Sequence, residues 1–192
     1  MKKFAFIAAP LFVLAYGILR FLDGLDGERG PGFAWTAGHL AFLAALALFV
    51  PIFLELRRMA GKGALATTGV VLGFVGITAV AIQFVIDIVV GFISADHAAM
   101  GEHFDRIQSI PGIEIAIYTG LPFLFYLAQV SLIVQLAAQR KVRAWTPVLV
   151  VLDFALPTIE RDFIPLGAIC LLISFYPLAR QAGRRSAHAL AA

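Results

Sequence analysis

The chain has 192 residues, of which 61% are hydrophobic and only 14% charged, with a mean hydropathy of +0.92. Soluble domains carry about 25% charged residues, and no soluble core of this size absorbs so much apolar surface, so the bilayer must be the solvent for most side chains. The net charge of +3 comes from short basic clusters beside apolar runs, without the aromatic-interleaved basic face of a nucleic-acid surface, so nucleic acid is not an expected partner.

Hydropathy and length predict one all-α domain over residues 1–192, a polytopic membrane protein with six transmembrane helices in one bundle. The first apolar run, 4–22, follows Lys2 and Lys3 and has the basic and apolar regions of a secretory signal. It is read as an uncleaved anchor and first span. The second and third spans cover 33–56 and 65–93. The connection that follows contains a stretch, 97–107, able to form a short surface helix before Pro111 and Gly112 break it. Too polar for a span, it is expected to cap the outer face. The fourth span is 113–138, and the fifth and sixth, 145–159 and 163–178, are short, with Pro157 at the turn between them. About 15 residues reach only about 22 Å, so these spans must draw in flanking residues or thin the bilayer. Cys170 lies in the last apolar run, and a single cysteine excludes a disulfide framework or a cysteine-based metal site within one chain.

Orientation follows from the Lys and Arg residues, which cytoplasmic loops retain. Lys2, Lys3, Arg57, Arg58, Lys62, Arg140, Lys141, Arg143, Arg180, Arg184 and Arg185, eleven of fifteen, fall on one side of a six-span reading. The other side has Arg20, Arg29, Arg106 and Arg161 together with Asp23, Asp26, Glu28, Asp96, Glu102, Asp105, Glu160 and Asp162. Six crossings with both termini inside (N-in/C-in) fit this division, as expected of a cytoplasmic (inner) cell membrane. Trp35 and Trp145 fall at opposite interfaces, where aromatic residues anchor.

An ionisable group within the hydrocarbon costs about 2.5–3.5 kcal/mol on insertion scales, so those present face the bundle interior and have partners. Five are candidates: His39, Glu55, Asp87, Glu114 and Asp153. Glu55 lies three residues before Arg58 on one helical face, the spacing of a structural ion pair. His39 and Asp87 each lie about 9 Å from the outer end of their span, Glu114 opens the fourth span on that side, and Asp153 is near mid-depth. Gln83 is one turn from Asp87, and Glu114, Tyr118, Tyr126 and Gln129 share one stripe. The ligand-binding candidates are therefore His39, Gln83, Asp87, Glu114, Tyr118 and Asp153, around a polar cavity in the outer half. The opposing reading is a packing network, in which a His and an Asp hydrogen-bond to fix neighbouring helices. Tyr118, Tyr126 and the Phe-rich run 123–125 more often pack or face lipid than contact a ligand.

No motif names a cofactor or a metal. Metal-ligand spacings such as HxxxH, HExxH and CxxC are missing, and a three-ligand set from His39, Asp87 and Glu114 is unspecific. Only His39 among the histidines is intramembrane, against paired histidines for haem. The loop FLDGLDGERG begins like the DGxxAR signature of CDP-alcohol phosphotransferases, but Gly30 and Pro31 stand where Ala-Arg is needed. Three functions stay open. A binding or translocating protein would take a proton, a cation or a small amphipathic molecule, with a homodimer supplying enough wall for transport. An acid-base membrane enzyme on a lipid or isoprenoid would use Asp87 or Asp153 as acid, with His39 or Glu114 receiving a proton or holding the first group. A structural or partner-binding protein would use the same residues for packing.

Overall fold

The structure, a computed structural model, describes residues 2–25 and 27–190, with side chains for residues 3–25 and 27–183. Asp26 lies outside the described residues, as do the side chains of Lys2, Arg184 and Arg185. The described chain is all-helical: α1 Lys2–Asp23, α2 Phe33–Ala60, α3 Ala64–Ile93, α4 His97–Gln108, α5 Gly120–Ala138, α6 Trp145–Ile159 and α7 Ile164–Leu190. A π-helical turn, Glu114–Thr119, leads into α5, and a 3-10 turn, Arg161–Phe163, leads into α7.

Five helical stretches are long and apolar enough to cross a bilayer: Lys3–Asp23, Phe33–Ala60, Ala64–Ile93, Glu114–Ala138 and Arg161–Gly183. The apolar α6 is shorter, at 15 residues. Pro157 is not at the turn beyond α6 but within its last helical turn, and the helix runs two residues past it. The last helix runs on to Leu190 rather than ending near 178, because a polar, Arg-rich segment retains helix propensity after its apolar run ends. The π turn has a local cause in Pro122, which lacks an N–H and crowds the carbonyl four residues earlier, at Tyr118. The chain accommodates this with a wider turn, in which the Gly120 N–H bonds the Ile115 carbonyl.

The helices close into a ring in chain order. α1 packs on α2, α2 on α3, α3 on α5, α5 on α6, α6 on α7 and α7 back on α1, while α2 also meets α5 across the middle. The α5–α6 seam is the thinnest of the six. Glycine permits one of the close approaches: a Cβ at Gly167 of α7 would lie 2.9 Å from the Asp153 carbonyl oxygen of α6. Phe6, Phe49, Phe53, Phe175, Leu132, Leu136 and Leu171 form the fully buried centre. Phe49 sets its ring edge-on to Phe125, 4.8 Å between centroids.

At one end of the bundle the α2–α3 and α5–α6 connections are tied together. Lys141 Nζ donates to the Met59 carbonyl (2.6 Å) and Gln139 Nε2 to the Ala60 carbonyl (3.0 Å). Gly61, at φ 99°, closes α2 in the left-handed conformation that glycine favours. At the other end Arg29 Nη2 binds both carboxylate oxygens of Asp162, at 2.6 and 2.9 Å, joining the α1–α2 connection to the α6–α7 turn. Here α4 starts on an Asp96 cap, whose carboxylate accepts from the Ala99 N–H at 2.8 Å. Its His97 Nδ1 donates to the Arg29 carbonyl, and its Phe104 ring lies 6.3 Å from Trp35. The segment expected to cap the outer face is thus a helix, held at this end of the bundle by Arg29 and Trp35.

Candidate binding cavity and the buried pair beside it

A cavity of about 340 Å³ lies inside the ring, toward the end that carries α4 and the α6–α7 turn. Its apolar wall is made by Phe42 and Phe49 of α2, Val80 and Phe84 of α3, Phe125 of α5 and Phe154 of α6. Its polar groups are Tyr16 and Arg20 of α1, Gln83 of α3, Tyr118 and Tyr126, Asp153 and Thr158 of α6, and Arg161. Thr158 and Arg161 are exposed, so the cavity reaches the surface at the α6–α7 turn, whereas Asp153 is only 7% exposed. Phe154 stands in the thin α5–α6 seam, its ring 4.9 Å from Tyr126 on the cavity side and 5.4 Å from the exposed Phe123.

Several polar atoms here are unsatisfied. Arg20 Nε and the Tyr118 hydroxyl are buried without a hydrogen-bond partner. Asp153 Oδ2 accepts from Gln129 Nε2 at 3.3 Å, and the buried Gln129 Oε1 has no partner of its own. Buried polar groups are normally paired, so orphaned ones lining a cavity mark where a ligand or water would bind.

His39 and Asp87 form a separate pair, with 3.4 Å between Nε2 and Oδ2. Both are buried, at 4% and 8% exposure. His39 Nδ1 lies 2.7 Å from the Trp35 carbonyl oxygen, an atom that only accepts, so Nδ1 carries a hydrogen. On its other side the ring turns Nε2 toward Asp87 Oδ2. Trp35 locks the pair from its other side: its indole Nε1 donates to the Asp87 carbonyl at 2.8 Å. The His39 ring is further held between Trp35, Tyr16 and Phe84, with centroids at 4.2, 5.7 and 5.0 Å. Trp35 thus does more than anchor at an interface.

Of the sequence-derived candidates, Gln83, Tyr118 and Asp153 line the cavity, and His39 and Asp87 pair behind its Tyr16–Phe84 wall. Glu114 is exposed at the start of the π turn. Among the described residues no group of three or more His, Cys, Asp or Glu side chains is placed to hold a metal ion, so His39, Asp87 and Glu114 do not form a ligand set. Glu55 is buried and takes two contacts from Arg58, as its spacing predicts. Sequence reasoning missed Arg20, Arg161 and Tyr16. Arg20 lies one turn after Tyr16 on the same helix, and that spacing was the signal available. Compared with models of protein families, with curated proteins and with solved structures, the chain matches none.

Proposed function

We propose that the chain is a six-span protein of the cytoplasmic (inner) membrane, N-in/C-in, that binds a small amphipathic molecule in the cavity at its outer end. The observation that carries this reading is the cavity itself: an aromatic and aliphatic wall with polar groups set into it, Thr158 and Arg161 at the α6–α7 turn and the buried Asp153 among them. Ligand pockets have this make-up, and about 340 Å³ is near the lower limit of their usual range, about 300–1,000 Å³. Among the ligands compatible with the sequence, a small cation would meet the like charges of Arg20 and Arg161. Beyond the cavity, Phe53, Phe175, Leu132 and Leu136 pack without exposure above 1%, which supports binding rather than passage through the bundle. The short α6 serves as the fifth of these spans, and the eleven-to-four division of basic residues supports the orientation.

The test is calorimetric titration of ten-carbon amphiphiles into the purified full chain in phosphatidylcholine nanodiscs, with empty nanodiscs subtracted. Wild type should bind at least one of them saturably. Val80→Trp, which fills the cavity from α3, should not, while keeping its thermal midpoint within a few degrees. Equal binding by both would place the ligand elsewhere, and absence of saturable binding would end this reading.

A second reading has one observation in its favour. Asp153 faces a cavity whose wall is rich in aromatic rings, and a buried acid beside aromatic faces suits proton donation to an isoprenoid double bond with stabilisation of the resulting cation.

A further inference from the structure

We infer that the molecule held in this cavity carries a single anionic head, gripped by Arg20 and Arg161 at the α6–α7 end, on one short apolar chain. This rests on the binding reading above and specifies the chemistry of its ligand.

The two buried polar atoms that line the cavity without a partner can both donate. Arg20 Nε is a donor with no acceptor, and it is buried. The Tyr118 hydroxyl, also buried and unpartnered, lines the same space. Arg161 adds a second guanidinium. One carboxylate at this end, Asp162, already has both oxygens on Arg29. An unmet buried donor is unfavourable, and a charged one more so. The group that satisfies two guanidiniums and a phenol together is rich in acceptors and negatively charged, a carboxylate or a phosphate, for which the arginine fork is shaped. A cationic head would leave Arg20 Nε unmet and face two like charges.

The far side of the cavity sets the rest of the molecule. Phe49 and Leu171 are fully buried there and offer no hydrogen bond, so the body is apolar. At about 30 Å³ for each water-sized group, about 340 Å³ takes roughly a dozen non-hydrogen atoms. One short chain fits; the two chains of a phospholipid do not, although a bilayer lipid could offer one chain and its head. Free amphiphile and anionic bilayer lipid share this chemistry.

The experiment compares decanoate, decanol and decyltrimethylammonium by calorimetry on the full chain in phosphatidylcholine nanodiscs, for wild type, Arg20→Gln and Arg161→Gln. Decanoate should bind about tenfold or more tighter than decanol, and decyltrimethylammonium more weakly still. Each glutamine variant should weaken decanoate by about ten- to a hundredfold and leave decanol unchanged. Arg161 is exposed, so its variant keeps the test sound if Arg20→Gln folds poorly. Repeating the decanoate titration in phosphatidylglycerol nanodiscs identifies the source: weaker binding there means that anionic lipid heads compete for the arginines, and unchanged binding means a free amphiphile. Either result supports the anionic head. Decanol binding as tightly as decanoate, with both variants unchanged, would overturn it and leave the cavity as a general amphiphile site. Saturable binding of none of the three would remove the binding reading and this inference with it.

Discussion

His39 and Asp87 face each other across the α2–α3 seam with 3.4 Å between Nε2 and Oδ2, while the other imidazole nitrogen donates to the Trp35 carbonyl. Having each other as partners is what makes two ionisable residues tolerable in an aromatic wall, where an uncompensated charge would carry the full insertion penalty.

Removing one member should be more damaging than exchanging it. Asp87→Ala strands His39 Nε2 without a partner, at about 1–3 kcal/mol. Asp87→Asn can present its amide N–H to the same nitrogen. Thermal unfolding in detergent should place Asp87→Ala several degrees below wild type and Asp87→Asn between them. Coincident midpoints for the two variants would mean that the 3.4 Å contact contributes nothing to the fold.

Gly91 makes room for the indole that locks this pair. A Cβ there would lie 2.7 Å from Trp35 Cδ1 and 2.8 Å from Nε1, closer than carbon atoms pack. Gly91→Ala should push the ring off the Asp87 carbonyl, costing about 1–3 kcal/mol. Trp145 is the other tryptophan, so a Trp145→Phe background isolates the signal. Emission from Trp35 should move to longer wavelength in Gly91→Ala as the ring moves out, and an unchanged spectrum would contradict the packing.

Depth was legible in the sequence, and azimuth was not. Position within an apolar run fixes how far a residue lies from the end of its helix, so His39 and Asp87 could be assigned to one layer before any fold was known. Which residues face one another depends on the ring order, and that arises from close approaches such as Gly167 against Asp153. So Asp153 meets Gln129, 24 residues away on the neighbouring helix, rather than Asp87. Helix ends were legible where composition changes sharply, as at Asp96 or Pro111. They were missed where a polar segment simply continues a helix, as beyond Leu178. The arginines of the cavity were hidden by their own usefulness: as markers of orientation, Arg20 and Arg161 drew attention away from their position at its mouth.

The six-span reading hinges on α6, whose 15 residues are the shortest apolar stretch. Exposed positions bracket it, Arg143 before and Glu160 after. In a Cys170→Ser background, a membrane-impermeant maleimide applied to intact cells should label Glu160→Cys and Gly101→Cys. It should leave Arg143→Cys and Lys62→Cys unlabelled until the membrane is opened. Equal labelling of Arg143→Cys and Glu160→Cys would mean that α6 does not cross.

Asp153 separates binding from catalysis. Gln129 Nε2 already donates to its carboxylate, while Gln129 Oε1 is buried with no partner. In Asp153→Asn the side-chain oxygen can keep the first bond and the new amide can donate to Oε1, so the variant should be as stable as wild type or firmer by about 1 kcal/mol. If the cavity only binds, decanoate affinity in Asp153→Asn should stay within about threefold of wild type. An acid-base enzyme behaves otherwise, because asparagine keeps the shape and the hydrogen bonds but has no proton to give. Product formation from an isoprenoid by wild type, abolished in Asp153→Asn at an unchanged thermal midpoint and with binding intact, would transfer the cavity to the catalytic reading. Retained affinity with no turnover by either protein would leave it a binding site.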